Sequence, residues 1–171
     1  MAQWIGHFLV VGLTGTGKTT LLVNLSNDLI DAKMPVAVLD PHLEERWDVD
    51  YLTDSPSDFL SYAKQTRIPH ILIIEEAGET IGRYGGDMNW FATQARHGGH
   101  IVLFCAQRTS QVDPTTRNNC RNLIAFEQNP KDAQLLYETF NNRLLLKSAD
   151  LKIGEFIVFV KGQQAKKLTL F

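Results

Sequence analysis

Gly12-Leu-Thr-Gly-Thr-Gly-Lys-Thr fits the phosphate-loop pattern G-x-x-x-x-G-K-[S/T] at every fixed position. It leaves few options for the chain around it. The pattern works only between a buried strand and a helix, and both are written into the flanking residues. His7–Val11 is a short apolar run of strand length. From about Lys18 to Asp31, Leu21, Leu22, Leu25, Leu29 and Ile30 recur with the 3.6-residue period of an amphipathic helix. Glycines in such a turn let successive N–H groups point inward at phosphate oxygens, and the helix adds the positive end of its dipole. The cradle is expected to comprise Gly12, Thr14, Gly15, Thr16, Gly17, Lys18, Thr19 and Thr20. Within it, Lys18 is to reach the β- and γ-phosphates of ATP, and the Thr19 hydroxyl is to ligate Mg²⁺.

Such a site needs a second half, an acid at the end of a buried strand. Ile71-Leu-Ile-Ile-Glu-Glu supplies it, being apolar at every position before the acids and so buried on both faces. Glu75 is expected to hold the Mg²⁺ shell, where Asp is more usual. Glu76 is expected to orient and deprotonate the attacking water. The adjacent second acid favours hydrolysis over a small-molecule kinase, whose acceptor is a bound substrate.

The other segments alternate in the same way, which predicts βαβ units and a mostly parallel sheet in one α/β domain spanning residues 1–171. Strands are expected at Pro35–Leu39, His100–Ala106 and Asn122–Phe126. Helices are expected from Pro56, capped by Ser55, over Asp87–Arg96, and from Pro130 to about Phe140, capped by Asn129. Glu155–Lys161 and Lys166–Phe171 read as a closing β-hairpin around Gly162. Cys105, inside an apolar run, reads as a buried thiol. No apolar run reaches the roughly 18 residues of a membrane span and no signal peptide is legible, so the expected location is cytoplasmic. A net charge of −2 gives no global attraction to nucleic acid. A polyanion must then meet a local basic patch or a ring of several copies.

Several further segments, in order along the chain, resemble the FtsK/HerA family of ring ATPases. Val38-Leu-Asp-Pro-His-Leu-Glu resembles the family's strand followed by D-P-x-x-E. Arg96-His-Gly-Gly-His, leading into Ile101–Ala106 and Gln107-Arg108, resembles its arginine–glycine–histidine turn before a strand that ends in Gln-Arg. Arg117-Asn-Asn-Cys-Arg-Asn-Leu-Ile-Ala-Phe resembles R-x-N-x-x-x-R-I-x-F, with Leu-Ile one place later, and Asp132 echoes an aspartate beyond that strand. The resemblance implies a RecA-like P-loop NTPase, with His100–Ala106 inserted between the P-loop strand and the Glu75 strand. It implies that Gln107 senses the γ-phosphate, and that Arg96 or Arg121 enters a neighbouring subunit's site as an arginine finger. It further implies a homo-oligomeric ring, such as a hexamer, moving double-stranded DNA. The short motor most resembles genome-packaging ATPases of membrane-containing icosahedral viruses. That adds a capsid or membrane-vertex protein as a partner, and the host cytoplasm or virion as the location. Arg83 and Tyr84, in a glycine-rich stretch after the acids, are candidates for DNA contact in the pore. A phage-assembly or secretion ATPase, a small-molecule kinase and a nucleotide-dependent scaffold are the competing readings.

Overall fold

The computed structural model describes residues 5–83 and 86–171. From the first strand onward, the elements run β1 (His7–Val11), α1 (Lys18–Asp31), β2 (Val36–Leu39), β3 (Tyr51–Thr53), α2 (Pro56–Gln65), β4 (Ile71–Ile74) and α3 (Ala77–Arg83). Then follow α4 (Trp90–Thr93), β5 (Ile101–Ala106), α5 (Pro114–Asn119), β6 (Cys120–Ala125), α6 (Pro130–Phe140), β7 (Glu155–Val160) and β8 (Lys166–Thr169). The eight strands form one sheet in the order β3-β2-β4-β5-β1-β6-β7-β8. All pairs from β3 to β6 are parallel, and β7 and β8 add an antiparallel edge.

Strand β5 lies between β1 and β4, with Val10 opposite Cys105 and Ile74 opposite Phe104. The central strands β1, β2 and β4 are buried at every position, as parallel strands covered on both faces must be. Alternate residues feed two cores. Leu9, Leu72, Ile74 and Phe104 join Phe59 and Phe91 on one face, while Phe8, Val10, Ile73 and Leu103 pack with Leu22 and Leu29 of α1 on the other. Ser55, Asp113 and Asn129 cap α2, α5 and α6 by accepting from Asp58, Thr116 and Asp132 N–H groups, with proline next in line each time.

The structure departs from the sequence expectations in a few places. The continuous helix expected over Asp87–Arg96 is instead a 3-10 turn (Asp87–Asn89), the four-residue α4, and a second 3-10 turn (Ala95–Gly98). Gly99, at φ 79°, ends the second turn and sends the chain into β5. Strand β6 starts two residues before Asn122. The half-buried edge strand β3 and a long 3-10 stretch, Arg143–Asp150, were not foreseen.

Candidate active site

The phosphate loop leaves the C-terminal end of β1 and is held on both sides. Gly12 N–H donates to Ala106 O (3.3 Å) and Leu13 N–H to Glu127 O (2.9 Å), extending the ladders of the neighbouring strands. The Thr16 hydroxyl donates to Leu13 O (2.8 Å) and folds the loop on itself. A Cβ at Gly12 would stand 2.5 Å from the Phe126 Cβ, so only glycine lets the loop pass. Gly15 and Gly17 have φ of 79° and 112°, backbone that L side chains rarely adopt. Gly17 caps α1 without a side-chain acceptor, and the first turn carries no acid. The N–H groups and the positive helix end therefore remain for an anion. Lys18, buried, donates to the carbonyls of Gly12 (2.7 Å) and Leu13 (3.1 Å) beneath the loop. Thr19 is half-buried; Thr14, Gly15 and Thr20 are exposed.

The two acids stand at the end of β4, two strands away, and do different things. Glu75 stays on the ladder, its N–H donating to Leu39 O (2.9 Å), and its side chain is buried. Its Oε1 has no hydrogen-bond partner. Burial raises its pKa, the Cys105 thiol hydrogen bond and Lys18 oppose that, and Asp40 and Glu76 add to it. A buried anionic oxygen without a protein donor, near a phosphate loop, fits the needs of a hydrated cation. Glu75 and Thr19 are the side chains that would hold Mg²⁺ there. Glu76, by contrast, adopts φ 49° and turns off the ladder. Its Oε1 accepts from Gln107 Nε2 (3.1 Å), which reaches across from the end of β5. The Thr80 hydroxyl donates to the Glu76 carbonyl (3.0 Å) and secures the turn. Left-handed backbone at a non-glycine residue costs roughly 1–2 kcal/mol. The surrounding bonds hold it nonetheless.

Arg96 and Arg121 lie elsewhere. They precede β5 and open β6, at the end of the parallel strands β5, β1 and β6 opposite the one where the loop leaves β1 and Gln107 follows β5. A strand of six residues separates the two ends by roughly 20 Å. Neither arginine can reach the phosphate loop of its own chain. Both line one pocket of about 400 Å³ with His7 and His100, and among the described residues neither makes an ion pair. His7 Nδ1 accepts from Val102 N–H (3.0 Å), so its proton sits on Nε2, which has no partner. Burial, then Arg96 and His100, lower its pKa to about 4.

At residues that the sequence had already singled out, the structure adds contacts that the sequence did not reveal. Asp40, at the end of β2, is buried and accepts from His42 N–H, Glu44 N–H and Trp47 Nε1–H, so it shapes the loop beside Glu75. Cys105 is not merely a packing thiol, for it faces Glu75, and burial pushes its pKa well up. Arg108 binds Asp132 (Nε to Oδ2 3.0 Å), and Ser110 N–H donates to the other oxygen. That contact keeps the Asp132 carboxyl below its usual range against the upward pull of burial. The Gln-Arg ending of the β5 strand was the available signal. The Arg83 side chain and Tyr84, the candidates for DNA contact, lie outside the described residues. Among the described residues no helix is long and apolar enough to cross a membrane.

The fold and the loop define a RecA-like P-loop ATPase architecture. Residues 5–77 match the family model described as the central domain of helicase HerA, and the FtsK/HerA resemblance read from the sequence stands on that match. No curated protein is significantly similar to the chain in sequence. Among solved structures it is similar to the genome packaging NTPase B204 from Sulfolobus turreted icosahedral virus 2 in complex with AMPPCP. That likeness has a TM-score of 0.76 at 16% identity, over 95% of this chain and 96% of that one. The pCW3 conjugation coupling protein TcpA is similar with a TM-score of 0.73 at 16% identity, over 96% of this chain and 59% of that one. The cytoplasmic domain of the Thermomonospora curvata type VII secretion ATPase EccC gives 0.75 at 11% identity, over 96% of this chain and 25% of that one. At these identities the likeness carries the fold.

Proposed function

We propose that the chain binds Mg-ATP, hydrolyses its γ-phosphate and uses the cycle to translocate double-stranded DNA, as a genome-packaging motor. The observation that carries the hydrolytic reading is the Glu76–Gln107 pair (3.1 Å) at the ends of adjacent strands β4 and β5. A carboxylate held by an amide can orient a water and take its proton as the water oxygen bonds to the γ-phosphorus and the bond to ADP breaks. Lys18 would leave the Gly12 and Leu13 carbonyls for the β- and γ-phosphate oxygens, and the free N–H groups of α1 would bind the rest. Mg²⁺, held by Thr19 and through the Glu75 shell, would neutralise phosphate charge.

The position of the arginines supports assembly. The family resemblance supplies an arginine finger from a neighbour, and the position of Arg96 and Arg121 at the opposite end of the sheet from the loop supports its coming from a second copy. One of them would then act as a finger in the next subunit, in a ring such as a hexamer. DNA as cargo rests on the likeness to the genome packaging NTPase B204 and the conjugation coupling protein TcpA and on the sequence resemblance, while a capsid or membrane-vertex protein as partner and a cytoplasmic or virion location rest on the resemblance alone. A secretion-type motor is the second reading, favoured by the EccC likeness.

The test is ATP turnover with and without double-stranded DNA, at several protein concentrations, for wild type and Lys18→Ala. Turnover that rises with concentration and DNA, and falls at least tenfold in the variant, is the expected result. DNA-independent, concentration-independent turnover would instead indicate a monomeric kinase-like enzyme. Wild-type activity in Lys18→Ala would remove the site.

A further inference from the structure

The side chains around the phosphate loop are distributed unevenly. Everything suited to the γ-phosphate and its attacking water, namely Glu75, Glu76 and Gln107, stands on β4 and β5, to one side of β1. The nucleoside end of a bound nucleotide must therefore leave the loop away from those strands. On that other side lie β6, β7 and β8.

There the loop is fastened to the turn before β7 and the residues after β8. Gly154 N–H donates to Thr16 O (3.0 Å), and Leu170 N–H donates to Gly154 O (2.9 Å). A Cβ on Gly17 would stand 2.7 Å from the Leu170 side chain, so that side chain rests on the loop backbone itself. The Phe171 ring lies over Gly154, 2.5 Å from where a Cβ would be, and φ 81° independently favours glycine at that position. Phe171 is left uncovered there at 86% exposure, and Ile153, next to Gly154 in sequence, is 70% exposed. They are the most exposed large hydrophobic side chains described in the chain. An exposed aromatic ring, tied through two hydrogen bonds to a loop built for phosphates, has the chemistry of a purine platform.

We infer that Phe171 forms the surface on which the nucleotide's base stacks, making this segment the nucleobase subsite of the ATP site. The inference rests on the ATP reading above. It also explains why Gly154 is glycine: a side chain there would displace the ring. The occupant is an aromatic base, and a ligand with the same phosphates but no base gains nothing from the platform. A second, mostly apolar surface near the loop, lined by Leu13, Arg108, Asn129, Pro130 and Lys131, is the competing place for the base.

The test compares Mg-ATP with Mg-tripolyphosphate by calorimetry on the full chain, for wild type, Phe171→Ala, Phe171→Trp and Leu13→Asn. Stacking of a base on an aromatic side chain is worth roughly 5- to 100-fold in affinity by alanine substitution. Phe171→Ala should weaken ATP binding by that factor and leave tripolyphosphate within about twofold. Phe171→Trp should keep or tighten ATP. The ring is exposed, so these variants retain the fold. An unchanged ratio of ATP to tripolyphosphate affinity in Phe171→Ala overturns the inference, as does equal loss of both ligands or selective loss of ATP in Leu13→Asn. If wild type binds tripolyphosphate but Phe171→Ala shows no base effect, only the platform fails. If wild type binds neither ligand, the ATP reading itself fails.

Discussion

Glu75→Gln should stabilise the nucleotide-free protein while weakening its response to Mg-nucleotide. The side chain is buried, carries an Oε1 without a partner, and has Asp40 and Glu76 as acidic neighbours. Leaving a buried polar group unsatisfied costs roughly 1–3 kcal/mol, with more for a charge. Glutamine keeps the shape and removes the charge, so the metal-free variant should gain about 1–2 kcal/mol. For a domain of 171 residues, that raises the melting temperature by roughly 2–8 °C. The ranking changes when a non-hydrolysable ATP analogue is added with Mg²⁺. Losing a group that orients a metal's ligand shell typically lowers affinity about 10- to 100-fold, which removes roughly 1.4–2.7 kcal/mol from the ligand-induced stabilisation. Differential scanning fluorimetry in EDTA, then with Mg²⁺ and analogue, measures both effects. A variant less stable than wild type in EDTA, or one with an undiminished Mg-nucleotide shift, refutes the assignment of Glu75 as a carboxylate kept for a cation.

Glu76→Gln should bind ATP normally and retain it unhydrolysed, with turnover reduced by roughly a hundredfold or more, because the proton acceptor is lost; filter binding and phosphate release measure the two effects. Normal turnover in that variant would move the base elsewhere, Asp40 being next to test. Arg96→Ala or Arg121→Ala, whichever supplies the finger, should lose about a thousandfold of turnover alone. It should regain part when mixed with Lys18→Ala subunits, since a mixed ring contains some interfaces with both groups intact; no rescue for either arginine counts against a shared site. His7, whose pKa falls from 6.5 to about 4 on folding, stabilises the fold fully above pH 6.5, and that contribution is lost as pH drops toward 4. The difference amounts to about 3 kcal/mol. His7→Gln should therefore show a shallower decline in urea stability between pH 7 and 4, and parallel curves would contradict the buried neutral imidazole.

The sequence was most informative where backbone geometry dictates residue type. Gly12, Gly15 and Gly17 announce the phosphate loop because other residues would clash or be strained there. The unbroken apolar run Ile71–Ile74 announces a central parallel strand because both faces are covered. Caps at Ser55 and Asn129 gave α2 and α6 their starts, since serine and asparagine followed by proline is a local signal. What escaped depends on residues far apart in the chain. Nothing near Cys105 tells that its thiol meets Glu75, because that contact is made by strand order. His7 read as the start of a strand; only the β1–β5 pairing gives its ring to Val102. The stretch 87–98 has helical composition, yet its turns tighten to 3-10 geometry before the glycine pair that starts β5.

The left-handed backbone at Glu76 has a consequence for how this position can change. Glycine there would relax the turn and favour the fold by roughly 1 kcal/mol, and asparagine would be tolerated nearly as well. Stability alone therefore pushes position 76 away from glutamate. A screen that selects only for expression or heat resistance should enrich glycine and asparagine at 76. A screen that also demands turnover should hold glutamate against that drift, so the two selections diverge at a single codon.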